Sequence, residues 1–122
     1  MIQQSEAEIS RAVINFLEEY RRHKKLSFFV NLEGARRDKR QQIAAKRHGM
    51  RAGRPDLEIV LPDGKIIWIE LKRFKGGKLT PLQKETHKEL SQLGHDVRTI
   101  YALDAVSAIK STHKILCEYG MV

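Results

Sequence analysis

The sequence predicts one mixed α/β domain, a central mixed sheet flanked by helices in the order αβαββαβα. Three observations predict it. Apolar residues recur at helical spacing in the first quarter of the chain. Two short β-branched runs, Leu57–Leu61 and Ile66–Leu71, flank Pro62-Asp63-Gly64, a hairpin signal. Helix-start signals recur at Thr80 and Asp104, with a strand-like run between them.

The first helix opens at Ser5, whose hydroxyl caps it with Glu8 as the box partner, and runs to about His23. Ile2, Glu6, Ile9, Val13, Phe16 and Tyr20 form one stripe, with Glu6 the acid on an apolar face. Leu26–Leu32 reads as a strand. Arg36 to about Arg47 reads as a basic helix with Ile43, Ala44 and Ala45 as its apolar residues, and Gly49 and Gly53 make a flexible approach to Pro55. Lys75-Gly76-Gly77-Lys78 is a loop. Thr80-Pro81-Leu82-Gln83 opens a helix with the stripe Leu79, Leu82, Thr86, Leu90 and Leu93, capped at Gly94. Val97–Leu103 is a strand, and Asp104 caps a last helix ending near Gly120.

A chain of 122 residues makes a single domain, 1–122. No apolar run approaches the ~20 residues a membrane span needs. The N-terminus lacks a basic region followed by an apolar one, so no signal peptide is expected. One cysteine, Cys117, excludes an internal disulfide, fits a reducing compartment, and reads as a small core residue. The expected location is cytoplasmic, in a bacterium or a virus-infected host cell.

The net charge is +8, from 23 Lys+Arg against 15 Asp+Glu, with a pI near 9.8. Eight of the basic residues (Arg36, Arg37, Lys39, Arg40, Lys46, Arg47, Arg51 and Arg54) stand in one stretch against the single acid Asp38. Lys72, Arg73, Lys75 and Lys78 make a second cluster. The two flank the hairpin, and a phosphate backbone is their simplest counterpart.

Between those clusters lies the candidate chemistry. Along the second hairpin strand Ile66, Trp68, Glu70 and Lys72 share one face, and Ile67, Ile69 and Leu71 the other. Trp68 reads as core. Asp56 opens the first strand, so the antiparallel pair brings it beside Glu70 and Lys72. Two carboxylates and an ammonium at a sheet end suit a divalent cation with a polarised water. The five histidines are dispersed without zinc-ligand spacing, and no phosphate loop, dinucleotide fingerprint or nucleophile elbow is present.

Pro55-Asp56, thirteen residues, then Glu70-Leu71-Lys72 resembles the core of the PD-(D/E)xK nuclease superfamily. With Gly49 to Leu57, Trp68 to Lys72, Leu79 to Gln83 and Leu93-Gly94, the chain resembles the VRR-NUC (virus-type replication-repair nuclease) family over nearly its whole length. That resemblance implies a PD-(D/E)xK nuclease-like domain and a Mg²⁺- or Mn²⁺-dependent endodeoxyribonuclease. Asp56, Glu70, the Leu71 carbonyl and a first-helix acid would hold the metal. That acid is Glu6 or Glu8; the stripe position selects Glu6. Lys72 and Gln83 would complete the catalytic set. The resemblance also implies a homodimer acting on branched DNA, a four-way junction or a flap. Two other readings stay open: a non-catalytic nucleic-acid-binding module on the same fold, and a restriction-type nuclease.

Overall fold

The computed structural model describes residues 4–31, 40, 43, 47 and 52–121. Helix α1 (Glu6–Arg22) is followed by strand β1 (Ser27–Val30), the hairpin strands β2 (Leu57–Val60) and β3 (Ile66–Arg73), helix α2 (Pro81–Gln92), strand β4 (Asp96–Ala102) and helix α3 (Ala105–Glu118). Arg40, Ile43 and Arg47 are helical. The rest of the expected basic helix lies outside the described residues, as do Ile2, Leu32 and Gly49.

The four strands form one sheet in the order β1-β2-β3-β4. The first three run antiparallel, and β4 joins β3 in parallel. The β2–β3 turn differs from a two-residue hairpin. Pro62–Gly64 forms a short 3₁₀ turn with Asp63 and Gly64 both at positive φ, closed by Leu61 N–H donating to Lys65 O at 2.8 Å. Pro62 pre-sets the first turn residue, and Gly64 takes its positive φ at little steric cost.

The core lies on one face of this sheet. Ile67, Ile69 and Leu71 of β3 and Leu57 and Ile59 of β2 pack there with Ile9, Val13 and Leu17 of α1 and Ala108, Ile115 and Leu116 of α3. Leu17, outside the expected stripe, belongs to this buried row, whereas Phe16 and Tyr20 are only partly covered. Each buried branched side chain contributes on the order of 2 kcal/mol of transfer free energy.

The opposite face is thinly covered. Helix α2 buries no residue completely, and its Leu82 and Leu93 are 53% and 71% exposed. Trp68 lies on this face and is half-buried, so it is not a core residue. The core is built by the odd-numbered residues of β3, and Trp68 has the opposite parity. Cys117 is exposed too, with its sulfur 3.6 Å from His113 Nε2 on the outer side of α3. A cysteine on the last turn of a surface helix escapes the core when the buried positions run 108, 112, 115 and 116.

The helix starts follow their sequence signals. Thr80 and Gln83 form a reciprocal capping box, and Asp104 and Ser107 form another. Among the described residues, no helix is long and apolar enough to cross a membrane.

Candidate active site

Register builds the site. Leu57 faces Ile69 and Val60 faces Ile66, so the next pair beyond the ladder is Asp56 and Glu70. Asp56 Oδ2 accepts the Leu71 N–H at 2.8 Å, and the Asp56 carbonyl accepts the Asn31 N–H at 2.7 Å. The acid is thereby clamped between β1 and β3 by backbone groups. In a strand the N–H and C=O of one residue point to the same side, so the Leu71 carbonyl also points toward Asp56.

Glu70 is 1% exposed, the most deeply buried acid among the described residues. Its pKa is pushed up to about 9. Burial is the largest cause, followed by its hydrogen bond to Asp56 and the Asp56 charge. Lys72 pulls in the other direction, and Glu6 adds a further repulsion. Two carboxylates side by side away from water hold one proton between them.

Helix α2 supplies a fifth residue. His87 Nε2 lies 3.2 Å from Glu70 Oε1. Burial lowers the His87 pKa, with Asp56 opposing and Lys72 reinforcing. Burial thus disfavours the charged form of both partners, the imidazolium and the carboxylate, at a distance that suits a hydrogen bond. Sequence reasoning set His87 aside as one of five scattered histidines. The signal that finds it is its position four residues after Gln83, on the same face of α2.

Gln83 itself is occupied by the helix start: its Oε1 accepts the Thr80 N–H at 2.8 Å. It stands one turn before His87. Glu6 reaches across from α1, its Oε1 3.4 Å from the Arg73 N–H at the end of β3. Glu8 stays local, accepting from Ser5 and Gln4. Lys72 shares the Glu70 face and is half-buried. One end of the sheet thus gathers Glu6, Asp56, Glu70, Lys72 and His87.

Among the described residues, no three His, Cys, Asp or Glu side chains stand close enough to hold a metal by themselves. Asp56 and Glu70 offer two hard carboxylate donors, and Mg²⁺ is commonly held by one or two carboxylates while keeping several waters. The donor chemistry fits such an ion, and the shared proton marks where positive charge is wanted.

At Gly53 the approach to Asp56 packs against α2, a contact the sequence did not signal. Gly53 has φ +94°, and a Cβ there would lie 2.6 Å from the Leu82 carbonyl oxygen and 2.8 Å from Thr86 Oγ1. This glycine lets the chain lie directly on α2. Arg54 then pairs with Glu58 at 3.3 Å and places its guanidinium 5.7 Å from the Trp68 ring centre. Trp68 Nε1 in turn contacts His95 Nδ1 at 3.5 Å.

Of the basic residues, Arg40, Arg47, Arg54, Arg73, Lys75 and Lys78 are exposed. Arg36, Arg37, Lys39, Lys46 and Arg51 lie outside the described residues.

No family profile matches the chain. A curated phage protein, "Putative nuclease p44" of Acyrthosiphon pisum secondary endosymbiont phage 1, is 40% identical over 63 residues, covering 52% of this chain and 67% of that protein. Two solved structures share the fold. One, "VRR_NUC domain", superposes with a TM-score of 0.59 at 21% identity, covering 92% of this chain and 97% of its own. The other, "VRR_NUC domain protein", has a TM-score of 0.66 at 19% identity, covering 94% and 90%. A phage relative this similar over two thirds of its length, and a fold shared end to end with these domains, place the chain in one group: it belongs to the VRR-NUC nuclease family.

Proposed function

We propose that the chain is a metal-dependent, structure-selective DNA endonuclease that hydrolyses phosphodiester bonds, with a Holliday-junction resolvase-like activity on branched DNA. The observation that carries the reading is the buried Glu70 carboxyl beside Asp56 at a sheet end, with a basic cluster on either side of this hairpin in the sequence. The name of the phage relative supports the reaction class.

Asp56, Glu70 and the Leu71 carbonyl would hold Mg²⁺ or Mn²⁺, with Glu6 contributing an oxygen directly or through water. A bound ion of this kind lowers the pKa of a water and offsets charge on the scissile phosphate. The protein's own residues do the positioning. Leu71 N–H fixes the Asp56 carboxylate through Oδ2. His87 Nε2, 3.2 Å from Glu70 Oε1, holds the rotamer of that carboxyl. Lys72, on the Glu70 face, orients the attacking water and neutralises the phosphate as negative charge builds. Gln83, at the N-terminal turn of α2, orients water or a phosphate oxygen; that helix end also attracts anions. Exposed Arg54, Arg73, Lys75 and Lys78 grip the backbone without reading sequence.

A compact domain spans too little DNA to hold two arms of a junction, and cutting two strands symmetrically needs two sites. A two-fold homodimer follows. Sedimentation as a fully active monomer would refute it.

The test is cleavage of labelled four-way junction, flap and linear duplex in Mg²⁺ or Mn²⁺, with wild type and Lys72→Ala. Wild type is expected to cut the junction. Lys72→Ala is expected to lose at least 100-fold in rate while still binding. Binding without cutting by wild type in either metal would move the assignment to a non-catalytic nucleic-acid-binding module.

A further inference from the structure

Beside the carboxylates lies an open cleft of about 360 Å³, lined by Phe29, Val30, Asn31, Arg54, Pro55 and Glu58. Its place follows from register. Phe29 pairs with Glu58, and Glu58 with Trp68, so these side chains form one row across the sheet. The next row is Asn31, Asp56 and Glu70, two residues further along each strand and about 7 Å away. Both rows face the same side. Phe29 is 59% exposed, so its ring is accessible at the cleft.

We propose that this cleft receives an unstacked nucleobase adjacent to the phosphate being cut, with Phe29 as the stacking surface. The proposal rests on the nuclease reading above and deepens it, since it names the feature that would favour branched or flapped DNA over intact duplex. The composition of the walls selects a base rather than a phosphate. Glu58 is paired with Arg54, and the Asn31 amide donates to the Arg54 and Pro55 carbonyls, so the polar groups of the cleft are engaged and its open wall is the apolar one of Phe29, Val30 and Pro55. Arg54, held by Glu58 beside the Trp68 ring, closes one side of the cleft. Stacking on an aromatic ring tolerates any base, so the cleft confers selectivity for unpaired nucleotides without sequence preference. A duplex keeps its bases stacked on one another and cannot fill it.

The test separates binding from chemistry by working in chelator. A flap substrate carries the fluorescent base 2-aminopurine at its first unpaired position, next to the branch. Wild type is expected to quench it on binding. Phe29→Ala is expected to lose most of that quenching and to bind the flap about tenfold more weakly, with under twofold change on fully paired duplex. Phe29→Tyr is expected to keep both. Unfolding curves check that Phe29→Ala is folded, as its exposure leads one to expect. Several results would overturn the proposal: no quenching by wild type, full quenching by Phe29→Ala, or equal losses on flap and duplex. So would a Phe29→Ala effect confined to dissociation of a dimer, since β1 is an edge strand and a second copy is the competing occupant. Failure of the nuclease reading shows up separately, as absence of cutting by wild type in Mg²⁺ or Mn²⁺.

Discussion

Glu70→Gln should make the metal-free protein more stable at neutral pH, although it removes the centre of the site. Folding raises the Glu70 pKa from 4.5 to about 9. A carboxyl whose folded pKa is raised contributes fully below the unfolded value and loses stability as pH climbs toward the folded one. At about 1.4 kcal/mol per pH unit, the loss between pH 4.5 and pH 7 comes to about 3 kcal/mol. Glutamine carries no such penalty. It also mimics the protonated acid: its Nε2 can donate to Asp56 while its Oε1 faces His87 Nε2.

The assay is thermal unfolding by circular dichroism in chelator from pH 5 to pH 8, wild type against Glu70→Gln. The two should melt together near pH 5. By pH 7 the variant should melt higher, by on the order of 10 °C for a domain of this size. Millimolar Mg²⁺ or Mn²⁺ should then raise the wild-type midpoint and leave the variant nearly unmoved. A variant less stable by a constant amount at every pH would refute the reasoning. That pattern would mean Glu70 is ionised and paired in the metal-free protein, with Lys72 or a charged His87 outweighing burial.

Other expectations follow from the same geometry. Gly53→Ala combines a positive φ with a clash against the Leu82 backbone oxygen, so unfolding should show a loss of about 2 kcal/mol or more. Cleavage should fall with it, because this contact sets Pro55-Asp56 against the helix carrying His87. Asp96→Asn should show the opposite pH trend to Glu70. Burial pushes the Asp96 pKa up, but hydrogen bonds from Arg98 and Tyr119 prevail and hold it below the usual carboxylate range. Its contribution is therefore present above pH 4 and fades as pH falls. Partly exposed, it should cost about 1 kcal/mol at pH 7 and progressively less as the pH is lowered into the acid range, by the same melts.

What the sequence made legible was local or followed from strict alternation. Thr80 with Gln83 and Asp104 with Ser107 mark helix starts because their partners sit three residues away. Asp56 opposite Glu70 was readable because the short turn fixes the hairpin register. The features that escaped depend on which face of an element meets which neighbour. Trp68 and Ile69 are adjacent and both apolar, yet only Ile69 meets α1 and α3, and nothing in the β3 sequence says which parity those helices cover. The hold of His87 on Glu70 requires knowing that α2 crosses the other face. Gly53 reads as part of a flexible approach because the Leu82 carbonyl that a Cβ there would meet is 29 positions away in sequence.

The two faces of the sheet divide the work, and that division makes the costly site tolerable. A buried acid beside a second acid opposes folding, and a single layer of secondary structure could not absorb it and still pack. Here the odd-numbered residues of β3 are sealed under α1 and α3 without a polar atom to satisfy, while the even-numbered ones face polar neighbours, Asp56 and His87 at Glu70 and Arg54 and His95 at Trp68. Strain at Glu70 is thus separated from the core by the thickness of the backbone alone. Repulsion there can be relieved by a proton or a cation without disturbing Ile67, Ile69 or Leu71. A site on the core face would have no such freedom, because anything entering it would have to displace packed side chains. The thin cover of α2, which looks like a defect by the measure of buried area, leaves that face free to adjust around Glu70, itself only 1% exposed.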